Sequence, residues 1–140
     1  MFDIKFTLDN GAFSPERAHD EDAGLDLRTP TRVVLRRNDC VAINTGVHVQ
    51  IPKGWFGKIE SKSGLNVKHN IVSLGGVIDS GYTGSIVVKL YNFGAQDYVF
   101  ETGDKIVQMV IQPCFTGALT CVDDLEKTSR GDSGFGSTGK

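Results

Sequence analysis

Helical periodicity is almost absent from this 140-residue chain, and this absence most constrains the fold that it can adopt. Short runs of β-branched and aromatic residues stand between clusters of glycine, proline and asparagine, which is typical of all-β proteins. A short helix is predicted over residues 63–69. Strands are predicted over residues 4–8, 32–35, 40–44, 47–51, 55–60, 85–92, 98–100, 105–112 and 118–122. Many short strands at this spacing favour a jelly-roll-like sandwich or barrel.

Composition narrows the class of protein further. The formal net charge of −2 provides no bulk attraction to nucleic acid, so we expect no direct nucleic-acid binding. The first residues lack a basic region followed by an apolar one, and no apolar run is long enough to span a bilayer. We therefore expect a cytoplasmic, single-domain protein without membrane contact.

The cysteines and histidines do not form a metal-binding pattern. Cys40, Cys114 and Cys121 are odd in number and lack ligand spacing, so we expect them to be reduced, buried thiols. The three histidines are scattered singly, and His48 lies in an alternating strand pattern. A hydrogen-bonded or exposed histidine is the simpler interpretation there, and no zinc site is predicted.

Several polar residues stand where chemistry is possible. Asp79 closes a short apolar run within GVIDSGYTG at residues 76–84, and there it could serve either as a general base or as the acceptor of an Asx-turn. The segment ESKSGL at residues 60–65 fits an anion cradle or plain N-capping by Ser61 or Ser63. Asp26 lies between two leucines, which by default indicates a solvated strand face. Gln108 either pairs with a neighbouring strand or faces a ligand.

The end of the chain, SRGDSGFGSTGK at residues 129–140, has the composition of a flexible tail. It nevertheless carries groups suited to a nucleotide. A glycine-rich backbone can bind an anion with its amide groups, and Arg130 can make bidentate hydrogen bonds to a phosphate. The ring of Phe135 offers a face on which a base could stack. The alternative is a disordered tail without a role.

Five segments taken together, in this order, resemble the five motifs of the trimeric dUTPase family over nearly the whole chain. They are AGLDL at 23–27, KSGL at 62–65, GVID at 76–79 with Tyr82 and Gly84, GDKI at 103–106 with Gln108, and RG at 130–131 with GFGSTG at 134–139. The resemblance implies hydrolysis of dUTP to dUMP and pyrophosphate, which keeps uracil out of DNA and supplies dUMP for dTMP synthesis. It also implies a distorted jelly-roll-like β-barrel over residues 1–124, a flexible C-terminal arm over 125–140, and a homotrimer with shared active sites.

The same resemblance assigns residues to roles. Asp79 would activate the water that attacks the α-phosphorus, and Tyr82 would pack against the deoxyribose. Mg²⁺ would be bound by the triphosphate, and Asp26 would contact the ion through a coordinated water molecule. A hairpin over residues 73–87 would recognise uracil. The remaining substrate-binding residues would be Ser73, Gly76, Val77, Ile78 and Val87 at the base, Lys62, Ser63, Gly64 and Gln108 at the phosphates, and Arg130, Phe135, Gly136, Ser137 and Thr138 in a closing arm.

Four positions depart from the family pattern, although Gly81, in place of a frequent aspartate, also occurs as glycine in the family. Lys62 and Lys105 stand where the family usually has arginine. Lysine keeps the positive charge but cannot make the bidentate hydrogen bonds of a guanidinium group. Ser73 falls where many bacterial members place an asparagine beside the base. Two alternative functions remain: a regulatory protein-binding role under dUTP control, and dCTP deamination. The deaminase needs an acid/base glutamate beside the pyrimidine, yet none lies between Glu60 and Glu101.

Overall fold

The structure is a computed structural model that describes residues 3–137 and 139. Within them the chain forms short strands and a single short helix. The helix is α1 (Ser63–His69). The strands are β1 (Lys5–Leu8), β2 (Gly24–Arg28), β3 (Val33–Leu35), β4 (Asp39–Asn44), β5 (Val47–Gln50), β6 (Trp55–Glu60), β7 (Ile71–Ser73), β8 (Val77–Asp79), β9 (Val87–Asn92), β10 (Tyr98–Phe100) and β11 (Lys105–Pro113).

The strands pair into four small sheets, and every pairing is antiparallel. Their orders are β1-β5, β10-β3, β2-β11-β6-β8 and β4-β9-β7. Alternation along the strands separates core from surface: in β9, Val88 and Leu90 are buried while Val87 and Lys89 are exposed. Branched aliphatic side chains with Phe100 and Met109 fill the core between the sheets, and their burial is the main stabilising contribution.

The all-β, jelly-roll-like class is confirmed, although in the described residues the sheets do not close into one barrel. The helix matches its predicted bounds. The strand predicted at 118–122 is wrong, because the described residues after Pro113 form neither strand nor helix. Those residues include Leu119, which is 94% exposed; a β-prone run does not become a strand without a partner strand.

The expectation of buried thiols is wrong: Cys40 and Cys121 are exposed and Cys114 is half-buried, so the thiols do not belong to the core. The hairpin expected over residues 73–87 is found in part. The flanking strands β7 and β9 pair antiparallel with each other, but β8 between them pairs with β6 in another sheet. The helix in the described part of the chain is too short to cross a membrane.

Candidate active site

A pocket lies where β8 ends. It has a volume of about 190 Å³ and is lined by Val77, Ile78, Asp79, Tyr82 and Val87. The amide of Tyr82 donates to the carbonyl of Asp79 at 3.0 Å, so the chain turns immediately after the strand. All five lining residues were predicted from the sequence to be site residues, and the fold brings them together.

The carboxylate of Asp79 faces solvent at this pocket. Asp79 is exposed, and no hydrogen bond or ion pair to its side chain occurs among the described residues. The alternative of an Asx-turn is therefore wrong, since the turn uses the backbone carbonyl of Asp79 instead. A carboxylate that is held by a strand end and has both oxygens open can accept a proton from a water molecule.

Tyr82 is fixed by its own loop. Its hydroxyl donates to the carbonyl of Ser85 at 2.9 Å, and its ring lies over Gly84. A Cβ atom added to Gly84 would stand 2.5–2.9 Å from atoms of the Tyr82 ring and hydroxyl, closer than such contacts allow. Gly84 is thus needed because it lets the tyrosine ring pack on the backbone, a role that the sequence motif alone did not reveal.

A second group of polar residues forms around Asp26. Lys62 and Lys105 both pair with its carboxylate: the Lys105 Nζ is 2.7 Å from Oδ2, and Lys62 Nζ contacts Oδ1. The Asp26 side chain is only 5% exposed, so the prediction of a solvated strand face is wrong. Burial acts to raise the pKa of Asp26, but the hydrogen bonds and charges of Lys105 and Lys62 outweigh it and hold that pKa below its usual value.

Gln108 and the start of α1 lie beside this group. Gln108 is opposite Asp26 in the ladder between β11 and β2, and its Nε2 donates to the carbonyl of Ser61 at 3.1 Å. Gly24 leaves room for the Gln108 side chain, which a Cβ atom there would strike. Gln108 therefore contacts the chain just after β6, as in the first of its two predicted alternatives, and this bond uses only one of the two N–H groups of its amide.

The N-terminus of α1 is not capped by a serine. Its N-cap residue is Lys62, without a side-chain capping bond, and Ser63 and Gly64 are exposed. The hydroxyl of Ser61 instead accepts a hydrogen bond from the amide of Ser73 at 2.9 Å. N-capping by Ser61 or Ser63 is thus wrong, and this serine pair joins the end of β6 to β7.

The two groups lie at different levels of one sheet. Asp79 on β8 pairs with Phe56 on β6. Gln108 on β11 pairs with Glu60 on β6 and, on its other side, with Asp26 on β2. Four residues of strand separate these levels, about 13 Å at about 3.3 Å per residue. Within one chain, the fold does not bring the predicted phosphate-binding residues Lys62, Ser63, Gly64 and Gln108 to the pocket at Asp79.

The described residues of the C-terminal arm form no hydrogen bond or ion pair with either group. Its hydrogen bonds join arm residues to one another, as when Arg130 Nε donates to the carbonyl of Ser133 at 3.1 Å. Phe135 is fully exposed and has a φ of 52°, and Gly136 and Ser137 are exposed as well. The predicted site residue Thr138 lies outside the described residues.

A protein-built magnesium site does not fit the residues present. Among the described residues, no group of three or more potential ligands forms. Asp26, the predicted neighbour of Mg²⁺, has one lysine ammonium on each carboxylate oxygen, so it offers no open oxygen to a cation. Asp26 in this chain is therefore not placed to ligate a cation directly.

Comparisons with known proteins agree on one family. The dUTPase family model matches residues 11–139. The chain is 42% identical over 130 residues to the deoxyuridine 5'-triphosphate nucleotidohydrolase of Clostridium novyi (strain NT), covering 91% of this chain and 92% of that protein. It is similar to Staphylococcus bacteriophage 80alpha dUTPase with dUPNHPP, at a TM-score of 0.93 and 31% identity over 100% of both chains.

A third similar protein bears on metal binding. It is a mutant dUTPase from phage phi11 of S. aureus, for which coordination of a structural Mg(II) ion is described. The TM-score is 0.83 at 30% identity, over 90% of this chain and 100% of that chain.

Proposed function

This chain belongs to the dUTPase family and hydrolyses dUTP to dUMP, and we propose that Asp79 is the general base of that reaction. The observation that carries the proposal is the pocket at the end of β8, in which an exposed carboxylate stands beside Tyr82 and three aliphatic residues. A nucleoside in this pocket would place its first phosphate near the carboxylate. The sequence motif and the pocket therefore agree on the same residue.

The proposed chemical step is an in-line displacement at the α-phosphorus. Asp79 takes a proton from a water molecule as the water oxygen bonds to phosphorus. The bond from the α-phosphorus to the oxygen that bridges it to the β-phosphorus breaks, and its electron pair leaves with pyrophosphate. The products are dUMP and pyrophosphate.

Recognition of the nucleoside is assigned to the residues around the pocket. Val77, Ile78 and Val87 supply an apolar wall, and Tyr82 would pack against the deoxyribose where a ribose would place its 2′-hydroxyl. Ser73 and Gly76 would contact uracil farther along the same segment. The amide of Ser73 donates to Ser61 Oγ and its hydroxyl lies 3.4 Å from the same oxygen, so uracil would compete with Ser61 for the Ser73 hydroxyl.

Phosphate binding is assigned to Lys62, Ser63, Gly64 and Gln108 of another subunit. In support, Gln108 lies about 13 Å along the sheet from the level of Asp79 in its own chain, and Lys62, Ser63 and Gly64 follow the end of β6 beyond that level. A second copy is therefore needed to bring them to the phosphates. We propose a homotrimer in which each active site is shared, as closed symmetric assemblies permit.

The C-terminal arm would complete the site as a lid. We assign the core to residues 1–124 and the lid to residues 125–140. Phe135 would stack on uracil, while Arg130, Gly136, Ser137 and Thr138 would close on the phosphates and exclude bulk water. The full exposure of Phe135 supports this role, because an apolar ring with no neighbour in its own chain gains most from a ligand or a partner.

The substrate would be dUTP with Mg²⁺ bound to its phosphates. The lysines on Asp26 leave the protein without an open ligand there, so the ion would be held mainly by the triphosphate. The direct test is hydrolysis of dUTP and the four common deoxynucleoside triphosphates, with Mg²⁺ and then with chelator. We expect dUMP and pyrophosphate from dUTP alone, with a marked loss in chelator. Ammonia from dCTP would overturn the assignment.

Shared sites have their own test. Asp79→Asn and a chain lacking residues 130–140 should each be inactive, yet refolding them together should restore activity. In random trimers, about a quarter of the sites would receive an intact Asp79 and an intact arm from different subunits. If mixing restores nothing, the base and the arm come from the same chain.

A second function has one observation in its favour. The 80alpha phage dUTPase to which this chain is similar over its whole length is described as controlling transfer of virulence genes. A regulatory interaction would show as a stoichiometric protein partner that dUTP releases from the purified enzyme. Recovery of no such partner would leave hydrolysis as the sole function.

A further inference from the structure

His48 on β5 joins two parts of the molecule that the active-site motifs do not connect. Its Nδ1 lies 2.8 Å from the carbonyl oxygen of Thr83, and its Nε2 lies 3.0 Å from Asp9 Oδ1. Thr83 stands between Tyr82 and Gly84, in the loop that follows Asp79. Asp9 belongs to the turn after β1, the strand that pairs with β5.

Both partners of the imidazole are acceptors. A backbone carbonyl only accepts, and so does an ionised carboxylate. A neutral imidazole has one N–H group and can satisfy only one of them, whereas the imidazolium satisfies both. The charged form of His48 therefore suits the bridge best, and a neutral ring would give its single N–H to the carboxylate, the stronger acceptor, and lose the bond to Thr83.

The bridge is well placed to control the tyrosine loop. Ser85 and Ile86, at the end of the loop, are tied to the β4–β5 turn: Ser85 Oγ bonds Asn44 Oδ1, and Thr45 Oγ1 donates to the carbonyl of Ile86 at 2.8 Å. For residues 80–84, the contact with His48 is the only hydrogen bond to a distant part of the described chain. Without it, the Tyr82 end of the loop would be held by local bonds alone.

We propose that His48 is a positioning residue, whose imidazolium holds Thr83 and thereby fixes the ring of Tyr82 against the deoxyribose. This inference rests on the proposed contact between Tyr82 and the sugar. It predicts that discrimination between dUTP and UTP depends on the protonation of a residue that does not touch the substrate.

The charged groups around His48 set the pH range of the effect. The hydrogen bond to Thr83 raises the pKa of His48, the bond to Asp9 raises it further, and partial burial opposes both. Lys5 on β1 is the other charged group that lines the same surface pocket as His48 and Thr83. Because the pKa is raised, the bridge is complete below about pH 6.5 and is lost as pH rises through the raised pKa.

The experiment compares His48→Ala with a matched control, His19→Ala. His19 is also paired with a carboxylate, that of Asp22, but it is 84% exposed and lies in a different loop. Steady-state kcat and KM for dUTP and UTP would be measured from about pH 5.5 to about pH 9, on either side of the histidine range. The wild type and His19→Ala should lose about three- to tenfold in discrimination as pH rises, the size expected for one hydrogen bond of ordinary strength.

His48→Ala should show the high-pH discrimination at every pH. His48→Gln, whose amide can donate to Thr83 without titrating, should recover part of it and remain flat with pH. A pH step that persists in His48→Ala would overturn the proposal.

The variant Tyr82→Ala distinguishes a failure of this inference from a failure of the proposed sugar contact on which it rests. If Tyr82→Ala leaves discrimination intact, the assignment of the sugar contact is wrong. If Tyr82→Ala abolishes discrimination while His48→Ala preserves it, only the role of His48 is wrong.

Should His48→Ala fail to fold, Asp9→Asn provides the test. It removes the carboxylate but keeps the contact with Thr83, so the pH step of the wild type should move to lower pH. A step that stays in place overturns the proposal.

Discussion

Asp79 and Asp26 both end or interrupt a short apolar strand, yet the fold places them in opposite environments. Asp79 is exposed beside a pocket and its side chain has no protein partner among the described residues. Asp26 is buried and carries a lysine on each oxygen. A carboxylate saturated by two ammonium groups has little affinity for a further proton, whereas an open one can take a proton from water. The comparison teaches that the first aspartate is suited to chemistry and the second to structure.

The largest expected effect is that of Asp79→Asn. Removing the general base should lower kcat for dUTP by about a thousandfold, within the range for such groups. Binding of dUTP, measured by calorimetry, and the unfolding temperature should change little, because the side chain makes no protein contact. Asp20→Asn, the same change at an exposed carboxylate in a distant loop, is the control. Retained turnover in Asp79→Asn would remove the distinction between the two aspartates.

Deletion of residues 130–140 should come next. Loss of the lid should lower kcat/KM by about a hundredfold or more, as expected when several transition-state contacts and water exclusion are lost together. The free energy of unfolding should be unchanged, since the arm's hydrogen bonds are internal. Phe135→Ala should reproduce part of the loss in activity, while Phe115→Ala, at a ring that is 82% exposed, should not. Equal losses in both would contradict the assignment of Phe135.

Asp26→Asn should act on stability instead. It leaves two lysines without their shared partner, and because both keep some contact with solvent, we expect a loss of about 2 kcal/mol at pH 7. The pKa of Asp26 is lowered in the folded state, so its contribution is present above about pH 3.9 and is lost as pH falls through the folded value. Urea unfolding should therefore show wild type and variant converging at low pH. Glu16→Gln, which breaks the exposed pair with Arg28, should have a much smaller effect.

The smallest effect is expected from a matched pair of glycines. Gly84→Ala places a methyl group against the Tyr82 ring, whereas Gly81→Ala meets nothing within 4 Å. The first should reduce discrimination between dUTP and UTP by about tenfold, the value of one good contact, and the second should leave it unchanged. Equal discrimination in the two variants would show that the ring position does not matter to the sugar.

Much of the pocket could be predicted from the sequence, because its residues are close together in the chain. Val77, Ile78, Asp79 and Tyr82 fall within six positions, and a strand that ends in a glycine-rich turn brings them to one place. The helix at Ser63–His69 was predicted for the same reason. Local patterns are reliable where the structure depends on local interactions.

The environments of Asp26 and the cysteines could not be predicted in this way. Alternation in β2 predicts a solvated face for Asp26, since the pattern does not show that Lys62 at the start of α1 and Lys105 in β11 converge on it. The strand predicted at 118–122 failed because strand formation needs a partner, which a single stretch of sequence does not contain. Likewise, the pairing of β8 with β6, not with β9, is a long-range choice.

The sequence by itself determined the all-β class, the family and the residues of the pocket, because alternation, turn residues and short motifs act over a few positions. Only the tertiary structure decided which aspartate is open, why Gly84 must lack a side chain, and that His48 contacts the tyrosine loop. Those properties depend on atoms from strands that lie far apart in sequence, and their burial, pairing and pKa arise only when the sheets pack.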